Sequence, residues 1–369
     1  MAAVAAARAV RRWTRHPIGD LWGRDGRRRQ QDGGPTRHRF RAPLGGCGRR
    51  AGHRPGGRRR RPRVRGGLRS ALYPWHAAVF FVLSGYLWTS ARPFAAEVQR
   101  RVRSLALPYV AWLAVIVVVL VVWQMATGKP AAGLPGTLLD GEPPLQGWWF
   151  VTALMAACLL YRLAERVPWR WRGLIVAAAL AAAYPVGPAI AAVPLSVGVA
   201  VPCVAFVFAG DALRRYRSRV SAPLPTGALL VLVGAVVFAA GLSPVLDLYS
   251  GQLGTPALGF AAAAAISVGL VLIGEASVDR LPVRVRAAIV QLAAAGIVVV
   301  LTHSAVLWLL SEHEPPHLAV AVAVVLPWLA GLVLARTRLA VLTNGSGPPL
   351  VRLRRLPVRA PIPGHRPVS

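Results

Sequence analysis

Residues 104–124 read SLALPYVAWLAVIVVVLVVWQ, a run of twenty-one residues without a charged side chain. A helix of ~20 mostly apolar residues is long enough to cross the ~30 Å hydrocarbon core of a bilayer. In lipid the backbone must satisfy its own hydrogen bonds, so a run of this length predicts a transmembrane helix. This stretch therefore decides the fold class, because it places the chain in a membrane.

Similar apolar runs recur on both sides of it: residues 72–90, 147–164, 173–190, 194–211, 224–243, 256–274, 288–310 and 318–336. The whole chain is 55% hydrophobic and only 15% charged, whereas globular proteins are about 25% charged. Its mean hydropathy is +0.49 despite a net charge of +31. We predict an all-α, polytopic transmembrane bundle of about nine spans over residues 71–340. A soluble single-domain enzyme and a disulfide-linked secreted scaffold are excluded.

Basic residues are concentrated in alternate loops between these runs. One set of loops holds Arg92–Arg103, Arg162–Arg172, Arg214–Arg219, Arg280–Arg286 and the residues from Arg336 onward. The other set holds Lys129 with Asp140 and Glu142, no charge near Ala191, then Asp247, and then Glu312 and Glu314. The positive-inside rule places the first set in the cytoplasm. We expect a multi-pass protein of the plasma membrane, with a disordered, cytoplasmic, Pro/Arg-rich tail over residues 341–369.

The first seventy residues break this pattern. Residues 1–70 carry 21 of the 44 basic residues and are rich in Arg and Gly, a composition that predicts disorder. If residues 72–90 run inward, this basic segment lies outside, against the rule that fits elsewhere. Two explanations remain open: a basic arm that touches anionic lipid or nucleic acid, or a frameshift that removed a first helix. No specific nucleic-acid partner is expected, because the segment lacks interleaved aromatic residues and a folded module.

Several short motifs follow one another in an order typical of a known family. They are WHAAVFFVLSGYLW (Trp75–Trp88), Arg100-Arg101-Val102-Arg103, LALPYVAW (residues 105–112), Trp148-Trp149-Phe150 with Leu154, FVFAGDALRR (Phe206–Arg215), and Thr302-His303 with Val306-Leu307. In this order and spacing the chain resembles the membrane acyltransferase 3 family over about residues 72–337.

The resemblance implies transfer of an acyl group from cytoplasmic acyl-CoA to a hydroxyl or amine of a cell-surface glycan, a lipid or a metabolite. Family members usually carry a principal catalytic histidine in a first helix that this sequence lacks. His16, His38 and His53 lie in Arg/Gly-rich sequence with no apolar run around them. One alternative is therefore that a chain with this sequence is catalytically inactive. A transporter or flippase is another, since Pro185 and Pro188 interrupt a predicted span and such breaks can open a substrate path.

Two histidines lie within predicted spans, where ionisable groups usually mark a functional site. His76 stands beside Trp75 near the outer end of the first run, and His303 lies deeper in a Val/Leu/Ala run. A neutral imidazole can serve as general base toward an acceptor hydroxyl. The structural alternatives are an interfacial Trp–His pair for His76 and a histidine bonded to a backbone carbonyl for His303. We predict both as catalytic residues.

The arginines of the first basic loop are candidates for the donor site. Guanidinium groups fit the phosphates of CoA, so the resemblance implies that Arg100, Arg101 and Arg103 bind acyl-CoA, although ordinary positive-inside anchoring would also explain them. Trp149 is the residue that the family motif suggests for substrate contact. The loop with His313 and His317 is expected to be solvated, and no metal cofactor is expected.

Further side chains have predicted structural roles. Asp211 is expected to pair with Arg214 or Arg215 at helical spacing. The basic residues Arg214–Arg219 are otherwise assigned to topology. Tyr161 and Arg162 are expected to extend to the membrane interface, and Gly85 is expected to allow close helix packing. Cys158 and Cys203 lie in apolar runs and are expected to be buried thiols.

Overall fold

A computed structural model of the protein describes residues 75–90, 92–127, 145, 147–278, 280–310 and 316–345. The predicted N-terminal segment 1–70 and the residues after 345 lie outside this description. In the described part the chain is helical, and its only extended pairing is an isolated antiparallel bridge between Asp247 and Gln252. The predicted all-α fold is confirmed.

Eleven α-helices make up the described residues: α1 Ala78–Tyr86, α2 Phe94–Arg101, α3 Leu107–Thr127, α4 Trp149–Ala164, α5 Trp169–Ala191, α6 Ala200–Tyr216, α7 Pro223–Ala239, α8 Leu258–Val278, α9 Val283–Leu310, α10 Pro316–Leu334 and α11 Ala340–Asn344. A π-helical turn, Val102–Ala106, joins α2 to α3, and a 3₁₀ segment, Pro194–Val199, precedes α6.

Six helical segments of the described chain are long and apolar enough to cross a membrane: Phe94–Thr127, Trp169–Ala191, Pro194–Arg219, Leu258–Val278, Val283–Leu310 and His317–Leu334. The protein is therefore a multi-pass membrane protein. A helix stands in each of the nine predicted runs, but the count of nine spans is not confirmed. The 16 residues of α4 rise only ~24 Å at 1.5 Å per residue, and the nine residues of α1 rise less.

The break predicted at the prolines lies elsewhere. Helix α5 continues through Pro185 and Pro188 to Ala191. The chain turns sharply only in the following 3₁₀ segment, where Leu195 and Ser196 have φ of 59° and 52°. Two consecutive non-glycine residues in this left-handed region carry backbone strain.

Helices α1 and α6 cross in direct backbone contact through two glycines. A Cβ atom at Gly85 would overlap the carbonyl of Val207, and one at Gly210 would overlap the carbonyl of Val82. Any larger residue at the crossing would push the helices apart. The predicted packing role of Gly85 is confirmed, and α6 lies at the centre of the bundle with most of its first eleven residues buried.

The bundle has two chemically different ends. Side chains from the basic segments Arg92–Arg103, Arg162–Arg172 and Arg214–Arg219 converge at one of them, which we call the arginine end. Helix α7 starts there and runs away from it, so the segment 243–257 after α7 lies at the opposite end. In that segment Asp247 and Gln252 exchange backbone hydrogen bonds of 2.8 and 2.9 Å, while the apolar side chains Leu246, Leu248 and Leu253 are buried.

Candidate active site

His303 lies in α9 with its imidazole ring held by the backbone of its own helix. Its Nδ1 is 2.8 Å from the Val299 carbonyl oxygen and 3.0 Å from that of Val300. Because both neighbours are acceptors, Nδ1 must carry the hydrogen and donate it. The neutral ring then keeps its lone pair on Nε2, which is the form that a general base requires.

The other edge of the His303 ring rests on a glycine just before α4. A Cβ atom at Gly147 would lie 2.7 Å from Cε1 of His303 and 2.9 Å from the Val300 carbonyl oxygen. The next residue, Trp148, is buried and donates its indole N–H to the Leu301 carbonyl at 2.8 Å. The start of α4 is thus fixed against α9 at the level of His303. Gly147 was not identified from the sequence, and Trp148 appeared there only within a family motif, although the charge-free Gly147-Trp148-Trp149 run was a visible signal.

His76 stands one turn before α1 and reaches the same region. It is exposed, and it lies within electrostatic range of the His303 ring. One turn further on, the rings of Phe80 and Phe81 pack edge-to-face on Phe150, with centroids 5.4 and 5.6 Å apart. His76 and His303 therefore both lie near the start of α4, and their catalytic role stays a prediction.

Trp149 lies at the same helix start and faces the segment that follows α7. Its ring centroid is 6.0 Å from that of Tyr249, which belongs to the turn between Asp247 and Gln252. One turn later, Thr152 donates a 2.5 Å hydrogen bond to the Leu195 carbonyl in the strained 3₁₀ segment. Two irregular segments thus pack against the first turn of α4, and Tyr249 is a further residue that sequence reasoning did not find.

At the arginine end, Glu97 organises the first group of arginines. Its carboxylate is 1% exposed and pairs with Arg101 at 2.7 Å, Arg92 at 3.0 Å and Arg162 at 3.4 Å. A carboxylate this deeply buried is stable only when it is paired, as it is here. The three arginines therefore have fixed positions.

The three arginines predicted to bind acyl-CoA differ in their surroundings. Arg101 is ion-paired with Glu97, whereas Arg100 and Arg103 are exposed and form no ion pair with the described residues. Only these last two present open guanidinium groups, and their role in binding stays a prediction.

The predicted interfacial position of Tyr161 and Arg162 is wrong, because both side chains point into the bundle. Tyr161 is fully buried and Arg162 is 4% exposed. Arg162 donates to the Thr89 carbonyl, pairs with Glu165 and lies 4.2 Å over the Trp88 ring. Buried partners replace water for the two terminal nitrogens of Arg162 and for the Tyr161 hydroxyl, whereas Nε of Arg162 is buried without a hydrogen-bond partner.

Asp211 organises a second group of arginines. It is fully buried, accepts a 2.6 Å hydrogen bond from the Tyr161 hydroxyl, and lies 3.6 Å from Arg172. Its other partners are Arg214 at 2.6 Å and Arg215 at 3.3 Å. The predicted pairing of Asp211 is confirmed for both neighbours on its own helix.

The remaining predicted positions concern a metal site and the two thiols. The described residues contain no group of three His, Cys, Asp or Glu side chains that could hold a metal ion. His313 and the flanking glutamates lie outside the described residues, and His317 is exposed at the start of α10. Cys158 and Cys203 are buried free thiols, as predicted.

Comparison with known proteins gives one match. The family model described as an acyltransferase domain, that of acyltransferase 3, matches residues 52–341, which is well over half of the chain. Neither a curated protein nor a solved structure matches the chain.

Proposed function

The chain belongs to the acyltransferase 3 family, and we propose that it moves an acyl group from cytoplasmic acyl-CoA to a hydroxyl or amine at the membrane. Membership supports membrane acyltransferase activity in general. The donor, and an acceptor that is a cell-surface glycan, a lipid or a metabolite, are our proposal. The observation that carries it is His303, whose Nδ1 donates to two backbone carbonyls and leaves Nε2 to act as base.

In the proposed reaction, Nε2 of His303 removes the proton of the acceptor hydroxyl or amine as that atom attacks the thioester carbonyl carbon. The new C–O or C–N bond forms, the C–S bond breaks, and the CoA sulfur takes the proton back from the imidazolium. The ring need not move, because its Nδ1–H stays on the carbonyls of Val299 and Val300 throughout.

Acyl transfer also requires stabilisation of the developing oxyanion, and the start of α4 is suited to this. Negative charge develops on the carbonyl oxygen during the attack, and the first turn of a helix offers unpaired N–H groups and a positive dipole end. Gly147 brings this helix start against the His303 ring with no side chain between them. We assign to His76 the orientation of the acceptor group, and to Trp149 contact with the acceptor.

The donor side is proposed at the arginine end. Acyl-CoA carries several phosphate charges, and the buried pairs at this end leave an excess of guanidinium over carboxylate. From His76 to Tyr86 the chain rises about 15 Å at helical spacing. An extended pantetheine arm can follow α1 over that distance, so its thioester can reach the histidines while its phosphates stay with the arginines.

The proposal is tested by incubating membranes that contain the protein with radiolabelled acetyl-CoA. Wild type is expected to transfer label to an acceptor. His303→Ala is expected to lose about 100-fold or more of this activity, because general-base catalysis typically contributes that much. His76→Ala is expected to lower it as well.

His317→Ala is the matched control, because it removes an exposed histidine that has no assigned role in the site and is expected to behave as wild type. Equal incorporation in all variants would exclude both histidines as catalytic residues. No incorporation by wild type, at protein levels verified in the membrane, would contradict the proposed activity and favour a transporter.

A further inference from the structure

The Asp211 group has a larger positive excess than any other ion-pair group of the described residues. Three guanidinium groups, from Arg172, Arg214 and Arg215, surround its single carboxylate. The Glu97 group sets three arginines against two carboxylates, because Arg162 also pairs with Glu165. Among groups held together by ion pairs, the excess of guanidinium over carboxylate is therefore greatest at Asp211.

Two of these arginines combine a fixed position with access from outside. Asp211 is fully buried, while the Arg214 and Arg215 side chains remain 34% and 37% exposed. The Nε and one terminal nitrogen of Arg214 donate hydrogen bonds to Asp211. The same terminal nitrogen also donates to the Ser90 hydroxyl, at 2.9 Å. The other terminal nitrogen of Arg214 donates to no described residue.

Arg215 is fixed from a second direction. Its Nε lies 3.3 Å from Asp211, and its guanidinium plane lies 4.4 Å over the Trp169 ring, which in turn stacks on Phe208. Both of its terminal nitrogens are left without an acceptor among the described residues. A guanidinium held by a carboxylate and an aromatic ring loses little freedom on binding an anion, which favours bidentate phosphate contact.

We propose that Arg214 and Arg215, oriented by Asp211, bind the phosphate groups of the CoA donor. The site rests on the proposed function, but it assigns the phosphates to a pair of arginines other than Arg100 and Arg103. Asp211 is a positioning residue, since its carboxylate faces the guanidinium groups and not the ligand. The hydroxyl of Ser90, already bonded to Arg214, lies at the end of the α1 path along which the pantetheine arm would run.

Phosphate chemistry can also come from an anionic lipid headgroup, so the experiment separates the two sources. Radiolabelled CoA is bound at equilibrium to the purified full-length protein, and pantetheine, which has the same thiol arm but no phosphate, competes for it. The measured quantity is the ratio of the two dissociation constants. Because both ligands are measured on the same preparation, partial misfolding of a variant cannot mimic the result.

Wild type is expected to bind CoA far more tightly than pantetheine. The double variant Arg214→Gln/Arg215→Gln is expected to raise the dissociation constant of CoA at least tenfold, since a hydrogen bond to a charged group is worth about that factor. The dissociation constant of pantetheine is expected to stay unchanged. Arg166→Gln/Arg170→Gln removes the same charge from exposed positions of the same end. This control is expected to keep the wild-type ratio.

The inference is overturned if Arg100→Gln/Arg103→Gln loses the preference for CoA while Arg214→Gln/Arg215→Gln keeps it. It is also overturned if the latter variant binds CoA normally but retains less phosphatidylglycerol by mass spectrometry, which would identify a lipid site. In both cases the proposed donor stands. If wild type does not bind CoA more tightly than pantetheine, both the proposed CoA donor and the proposed phosphate site are rejected.

Discussion

His303 shows how one side chain can be prepared for chemistry by its own helix. An imidazole that points back along the helix meets the carbonyls three and four residues earlier, Val300 and Val299. These two acceptors fix the tautomer, and Nε2 is directed toward the start of α4. The preparation needs no other charged side chain, which suits a position inside a membrane where charges are costly.

Gly147 offers the sharpest test at this scale. An alanine there would place its Cβ 2.7 Å from the His303 ring and 2.9 Å from the Val300 carbonyl, so the ring or the start of α4 must move. A displacement near 1 Å at a reacting group can cost about 100-fold in rate. We expect Gly147→Ala to lower acetyl incorporation by up to that factor, measured in membranes that hold wild-type amounts of protein.

Gly296→Ala is the control for this variant. The site lies in α9 like His303, but apart from its own helix backbone no described atom comes within 4 Å of the added methyl group. Its incorporation should equal that of wild type. Unchanged activity in Gly147→Ala would show that contact between α4 and the ring does not matter.

At the scale of helices, the crossing of α1 and α6 sets the position of both predicted sites. Gly85 and Gly210 let the two backbones touch near the arginine end of α1. From this crossing α1 leads back to His76, while Asp211 follows Gly210 directly on α6. The same contact thus fixes the position of α1, and through it that of His76, together with the position of the buried Asp211 carboxylate.

A methyl group at the crossing tests its role in stability. Gly85→Ala would overlap the Val207 carbonyl, and a backbone atom cannot move aside as a flexible side chain can. Overpacking of this kind typically costs 1–3 kcal/mol. We expect the thermal unfolding temperature in detergent to be lower for Gly85→Ala than for wild type. It should be unchanged for Gly274→Ala, whose methyl group meets no described atom within 4 Å apart from its own helix backbone. Equal temperatures would contradict the close crossing.

The sequence predicts which helices exist better than which side chains meet. Apolar runs placed a helix in each predicted span, because burial in lipid depends on composition alone. The pairing of Asp211 with Arg214 and Arg215 was accessible too, since it follows helical spacing. Arg162 was misplaced because its partners, Thr89 and Trp88, are distant in sequence. Gly147 and Tyr249 were missed for the same reason.

At the scale of the whole molecule, the arrangement of charge agrees with the alternation of loops in the sequence. Three basic segments that are far apart in the chain meet through Glu97 and Asp211 at one end. Aromatic and apolar contacts dominate the opposite end, where Trp149 meets Tyr249 and Trp123 meets Trp308. Such polarity suits a donor that arrives from the side where basic loops are retained.

Radiolabelled acetyl-CoA added to sealed vesicles of known orientation shows from which side of the membrane the donor binds. With the proposed cytoplasmic position of the basic loops, inside-out vesicles would expose the arginine end and are expected to incorporate label. Intact right-side-out vesicles are expected to incorporate none until a detergent opens them, because the phosphate charges keep CoA from crossing the bilayer. Equal incorporation by both kinds of intact vesicle would contradict a donor site at the arginine end and the path along α1 to His303.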